Sequence, residues 1–134
     1  MNFMDAEKDI SSRRVILRNC AQSTEYDDAS FVAILHECGI WERNQYWILE
    51  RALFDLSLCN ERDDGLNLSI FCIFSCVMNL VISHLDVDDF FEIENLNKNE
   101  ISGFRERVRM VFEGFFSRNF PDQVAFDENN PLIK

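Results

Sequence analysis

Apolar residues recur along this chain at intervals of three and four, and short polar runs separate the segments that carry them. That spacing is the mark of amphipathic helices, not of alternating strands. A first helix is expected over residues 4–20, offering Ile10, Val15, Ile16 and Leu17 to a core, with Ser11-Ser12 as its weakest point. Thr24-Glu25-Tyr26-Asp27 fits a capping-box pattern. A second helix should therefore begin after Thr24, carry Phe31, Ile34, Leu35 and Cys38 at helical spacing, and stop at Gly39. The third, over residues 42–60, places Tyr46, Leu49, Leu53 and Leu56 on one face and turns Glu42, Glu50 and Arg51 elsewhere. Glu61-Arg62-Asp63-Asp64-Gly65 reads as the turn that follows.

Residues 66–84 are apolar nearly all the way round, which predicts a central helix enclosed by its neighbours and the most buried element of the chain. Beyond it, Asp86 can cap a short acidic helix, with Asp89 in a first turn where free N–H groups favour negative charge. A last helix over residues 98–119 sends Ile101, Phe104, Val108, Phe112 and Phe115 inward and spreads Arg105, Arg107, Arg109 and Arg118 outward. Pro121 stops it, and an acidic, irregular tail occupies residues 120–134, where a hairpin is conceivable but unsupported. Only two prolines and four glycines interrupt the pattern. The expected fold is all-α: a single-domain bundle of five or six helices around the central apolar helix.

Composition adds that the bundle is acidic. With 134 residues, 47% of them hydrophobic and 13 of them Phe, the chain has the material for one folded domain. Its 13 Lys and Arg against 24 Asp and Glu give a net charge of -11, which disfavours direct contact with nucleic acid or anionic lipid and points to a basic protein as partner. The five cysteines are odd in number and lack a CxxC pair, so free thiols in a reducing cytoplasm are expected. The N-terminus carries acids where a secretory signal carries positive charge. The run from Leu66 to Leu85 has membrane-span length, but Asn67, Ser69, Ser75, Asn79, Ser83 and His84 interrupt it and no basic flank follows, so no membrane contact is expected.

Catalytic chemistry is poorly provided for. In His36-Glu37-Cys38, histidine and thiol stand two residues apart on a helix and point different ways. His84 is accounted for by the helix C-terminus and the following Asp86. Asp86 and Asp88 match the first two ligands of a calcium loop, but Phe90, Phe91 and Asn97 stand where a ligand, a glycine and a bidentate acid belong. Asp127-Glu128-Asn129-Asn130 offers weak surface ion binding at most. GxSxG, HExxH and a phosphate-cradling glycine loop are absent from the sequence, so neither an enzyme nor a cofactor or metal is expected. Trp41, Tyr46 and Trp47 cluster at the start of the third helix, where core packing is the first expectation and an interface role the alternative, and Trp41, beside a loop, is the more exposed tryptophan of the two on this reading.

The most distinctive feature is Asp86 to Glu94, Asp-Val-Asp-Asp-Phe-Phe-Glu-Ile-Glu, which holds five carboxylates and no cation. Such a cluster repels itself, and a basic partner relieves that repulsion. Phe90, Phe91 and Ile93 alternate with the acids, so one side can dock on the core while the other presents charge.

The stretch from Leu80 through Phe116 contains Ile-Ser-His-Leu-Asp-Val-Asp-Asp-Phe-Phe-Glu-Ile-Glu-Asn-Leu, then Gly-Phe-Arg-Glu-Arg and Glu-Gly-Phe-Phe. It is similar to helical immunity proteins of bacterial contact-dependent growth inhibition systems. That resemblance implies a cytoplasmic protein that binds a cognate toxin domain, commonly a basic nuclease, and covers its substrate site. Carboxylates standing where phosphates would sit can pair with the toxin's Lys and Arg. The partner-binding residues expected on that reading are Asp86, Asp88, Asp89, Glu92 and Glu94, with Glu25, Asp27 and Asp28 as a second group. The competing expectation is an acidic regulatory protein, such as a phage-encoded inhibitor that mimics nucleic acid, and neighbouring genes distinguish the two.

Overall fold

The structure, a computed structural model, describes residues 3–59 and 62–133, with side chains from Ala6 onward. Five helices follow one another: α1 (Phe3–Arg18), α2 (Phe31–Cys38), α3 (Arg43–Ser57), α4 (Asp64–Leu85) and α5 (Lys98–Ser117), then a single 3-10 turn at Gln123–Ala125. The all-α expectation holds, and no strand occurs among the described residues. α1, α2 and α5 each pack against both α3 and α4, whereas α3 and α4 do not approach one another.

Local chemistry explains where the helices begin and end. α2 starts at Phe31 and not after Thr24, because Ser30 is its cap: the Ser30 hydroxyl accepts from the Ala33 N–H at 3.2 Å. Residues 20–30 instead make successive turns, with Tyr26 N–H donating to Ser23 and Ser30 N–H to Asp27. A capping box does form on α5, where Asn97 and Glu100 satisfy each other's backbone N–H groups. α3 ends at Ser57, short of the expected Asn60, which with Glu61 lies outside the described residues. Asp63 caps α4 through the Leu66 N–H, so Asp64 and Gly65 belong to the helix and not to a turn. α5 stops at Ser117 with Arg118 left-handed. A Cβ on Gly114 would stand 2.6 Å from Pro121, so only glycine lets the chain fold back there.

The core joins Phe31, Trp41, Tyr46, Trp47 and Phe104, whose rings stack edge-on or tilted, to the aliphatic stripes of α3, α4 and α5. The core packing expected for this cluster holds, and Trp41, expected to be the more exposed of the two tryptophans, is 2% exposed against 4% for Trp47, because Phe31 and Phe104 close on its ring at 4.8 Å each.

α4 corrects the expectation in the other direction. Leu66, Ile70, Ile73, Val77 and Val81 form its buried stripe. On its outer face Leu68, Phe71 and Ile82 are 63%, 55% and 60% exposed, and Leu85 is also open. By length and composition alone α4 could cross a membrane, yet only 33% of its most apolar window is buried in the fold. It packs on α1, α2 and α5 but is not enclosed, since α3 does not reach it.

A second correction concerns Arg107, expected to face outward, and Glu50, expected off the apolar face of its helix. Glu50 is fully buried and Arg107 nearly so. The guanidinium donates to the Glu50 carboxylate through Nε at 2.7 Å and Nη2 at 2.9 Å, and lies over the rings of Trp47 and Phe126. Tyr46 Oη donates to the same carboxylate at 3.0 Å and the Asn130 side-chain amide at 2.9 Å. Residues 120–133 are largely irregular, as expected of the tail, but they are clamped: Arg107 also donates to the Glu128 carbonyl, and Arg43 pairs with the Glu128 carboxylate at 2.6 Å. Asn130 is thus a buried strut, not a surface ion ligand.

Candidate functional site: the anchored acidic loop

Residues 86–96 connect α4 to α5 without forming the expected acidic helix. The reason is local competition. The Asp86 carboxylate accepts from the Asp88 N–H at 2.9 Å and Asp89 from the Phe91 N–H at 2.9 Å, so each acid folds the chain into a side-chain-closed turn in place of capping a helix.

Four contacts hold the loop to the body. Ile93 is buried in the core, and its N–H donates to Nδ1 of His84 at 2.9 Å, so this ring nitrogen is an acceptor. Glu94 N–H donates to the Gly39 carbonyl at 2.8 Å. The Asn95 side chain then pairs with the backbone of Trp41 both ways, accepting from its N–H at 2.8 Å and donating to its carbonyl at 2.9 Å. Gly39 has φ of 66°, and a Cβ there would stand 2.3 Å from the Glu92 carbonyl oxygen. The loop therefore crosses directly over the end of α2, and glycine is what admits it.

Asp86, Asp88, Asp89, Glu92 and Glu94 are all exposed, and none makes an ion pair with a described residue. Val87 and Phe90 stand among them almost wholly in solvent, while Phe91 and Ile93 turn inward. The two-sided reading of the loop thus describes its geometry, with Phe90 on the outer side.

The second group is different. Glu25 and Asp28 are exposed, but Asp27 pairs with Arg18 at 2.8 Å and accepts from the Ala29 N–H at 2.8 Å. That backbone bond and then the Arg18 charge hold its carboxyl below the usual range. No hydrogen bond or ion pair among the described residues joins this group to the loop.

Elsewhere, a groove of about 490 Å³ runs between α5 and the C-terminal segment, lined by Arg43, Asn97, Glu100, Phe104, Glu106 and Phe126 among others. Its cations are committed, Arg43 to Glu100 and Glu128 and Arg107 to Glu50. The carboxyls that shift, Asp27, Asp63 and Glu106, all move downward, whereas a general acid needs its pKa raised. His36 bonds its neighbour Glu37 at 3.0 Å and not Cys38. Cys20, Cys38, Cys72 and Cys76 are free thiols.

The residues missed by sequence reasoning are the anchors: Gly39, His84 and Asn95. Gly39 was read as a helix stop and His84 as a dipole partner, and neither role announces a loop more than fifty positions or only nine away. No family model, curated protein or solved structure matches this chain.

Proposed function

We propose that this chain is an immunity-type inhibitor, a cytoplasmic protein that binds a basic toxin domain, with a nuclease the best-matched class, and covers its substrate site with residues 86–94. One observation carries the reading: five carboxylates without a cationic partner among the described residues surround an exposed phenylalanine on a loop tied to the core at four points. Charges left unneutralised in the free protein raise the rate of encounter with a basic surface, and an aromatic side chain among them supplies the desolvated centre that slows departure. Anchoring lowers the ordering cost on binding. Free thiols at Cys20, Cys38, Cys72 and Cys76 suit a reducing compartment.

The test uses the basic protein that co-purifies with this chain from its native operon. Replacing Asp86, Asp88 and Asp89 together by Lys should slow association by at least about tenfold at low salt and flatten its dependence on ionic strength. Phe90→Ala should leave that salt slope intact and speed dissociation by roughly 10- to 100-fold. An unchanged salt slope in the triple variant removes the loop from the interface.

A further inference from the structure

We propose that the outer face of α4 is a homodimer seam, on which Leu68, Phe71, Ser75, Met78, Ile82 and Leu85 pair antiparallel with the same residues of a second copy. The inhibitor reading of the acidic loop plays no part in this inference, which stands or falls separately from it.

The six positions follow one another at spacings of three, four, three, four and three. This is the a/d register of a two-helix seam, and it reads identically in both directions. Turned end for end about its centre, Leu68 meets Leu85, Phe71 meets Ile82, and Ser75 meets Met78, a small residue opposite a long flexible one. Every layer then joins an a position to a d position, as an antiparallel pair of helices requires, and the contact is isologous and closes on itself.

Charge points to the same occupant. From Leu66 to Leu85 the helix has no Asp, Glu, Lys or Arg, in a chain of net charge -11. A foreign basic protein has nothing to pair with on this face, whereas two copies meet along a stretch without charged side chains, and only at each end does Asp64 of one copy come level with the Asp86–Asp89 turn of the other. Parallel pairing would set both acidic loops at one end. Antiparallel pairing separates them by the length of a 22-residue helix, about 33 Å, and leaves both facing solvent.

Area sets the strength. Leu68, Phe71, Ile82 and Leu85, each at least half exposed, with the partly open Met78 leave on the order of 500 Å² of apolar surface per copy, taking roughly 200 Å² for a large side chain fully in water. The pair would bury about 1,000 Å², the lower bound for a specific interface, which suits a weak, reversible dimer.

Sedimentation equilibrium of the full chain tests this. A dimer should populate at tens of micromolar and tighten as salt rises, because salt screens the repulsion between two acidic copies. Ile82→Glu enters a two-fold interface twice and should raise the dissociation constant at least about 100-fold while the monomer still melts cooperatively. Phe71→Lys should do the same, so that a folding failure at one position does not decide the matter. A wild-type chain that stays monomeric overturns the proposal. So does a dimer indifferent to both substitutions, an association that weakens with salt, or flotation of the wild type with phosphatidylcholine vesicles.

Discussion

Glu50 shows how much rests on single side chains. Its carboxylate is fully buried and takes two bonds from Arg107, one from Tyr46 and one from Asn130. Burial works against the Arg107 charge, but the bonds and attraction of Glu50 outweigh it and hold the guanidinium pKa up; burial and then the Glu50 charge push the Tyr46 phenol well above its ordinary range. Removing one partner of such a pair leaves an uncompensated charge in a dry site. Arg107→Met should therefore cost about 3–5 kcal/mol in urea unfolding, and Glu50→Leu combined with it should cost much less than the sum of the single changes. A loss under about 1 kcal/mol for Arg107→Met would mean that water reaches Glu50. The pair was partly legible. Glu50 follows Tyr46 by four positions and Arg107 follows Phe104 by three, so both lie on apolar stripes. Charge alone argued for solvent, and nothing in a linear pattern tells that two such residues on different helices face each other.

At the scale of elements, the helices themselves were readable and the connections were not. Periodicity located all five helices, but it cannot show that Asp86 and Asp89 would spend their carboxylates on neighbouring N–H groups, or that Ser30 would outcompete Thr24 as a cap. The loop's position depends on Gly39, whose left-handed φ of 66° and 2.3 Å approach to Glu92 leave no room for a side chain. Gly39→Ala should add about 1–2 kcal/mol of backbone strain and displace the loop as well. Hydrogen exchange at the Glu94 and Trp41 amides should quicken while helix content holds. Gly103→Ala is the matched control: it meets nothing within 4 Å on an α5 interior position and should be neutral or stabilising by up to about 1 kcal/mol. Equal effects at the two glycines would show that the close approach does not position the loop.

For the molecule as a whole, hydropathy announced α4 and said nothing of what covers it, because an apolar helix reads the same whether neighbours surround it or flank one side. Net charge was legible in amount, yet which acids are paired depends on the fold, and that division governs the response to pH. At neutral pH the -11 charge opposes compaction, so acidification toward the isoelectric point near 4.5 should leave stability level or raise it. Below that a different set of groups takes over. Asp63 is held down by the Leu66 N–H and then by Arg13, Glu106 by Arg109, and Asp27 by the Ala29 N–H and Arg18. Their folded pKa values lie beneath the unfolded values of about 3.9 for Asp and 4.3 for Glu. The stability they confer is therefore complete above those unfolded values and is lost as pH falls through the folded ones. Melting temperature should accordingly hold or climb between pH 7 and 5 and drop steeply below about pH 4. Asp63→Asn, which still offers a capping oxygen but no charge, should lower the neutral plateau and shallow the acid limb by the same amount, leaving stability at the acid end nearly unchanged. A melting temperature that already falls steadily from pH 7 to 5 would show that groups other than these three carboxylates govern the response, since what they contribute is not lost until pH nears their unfolded values.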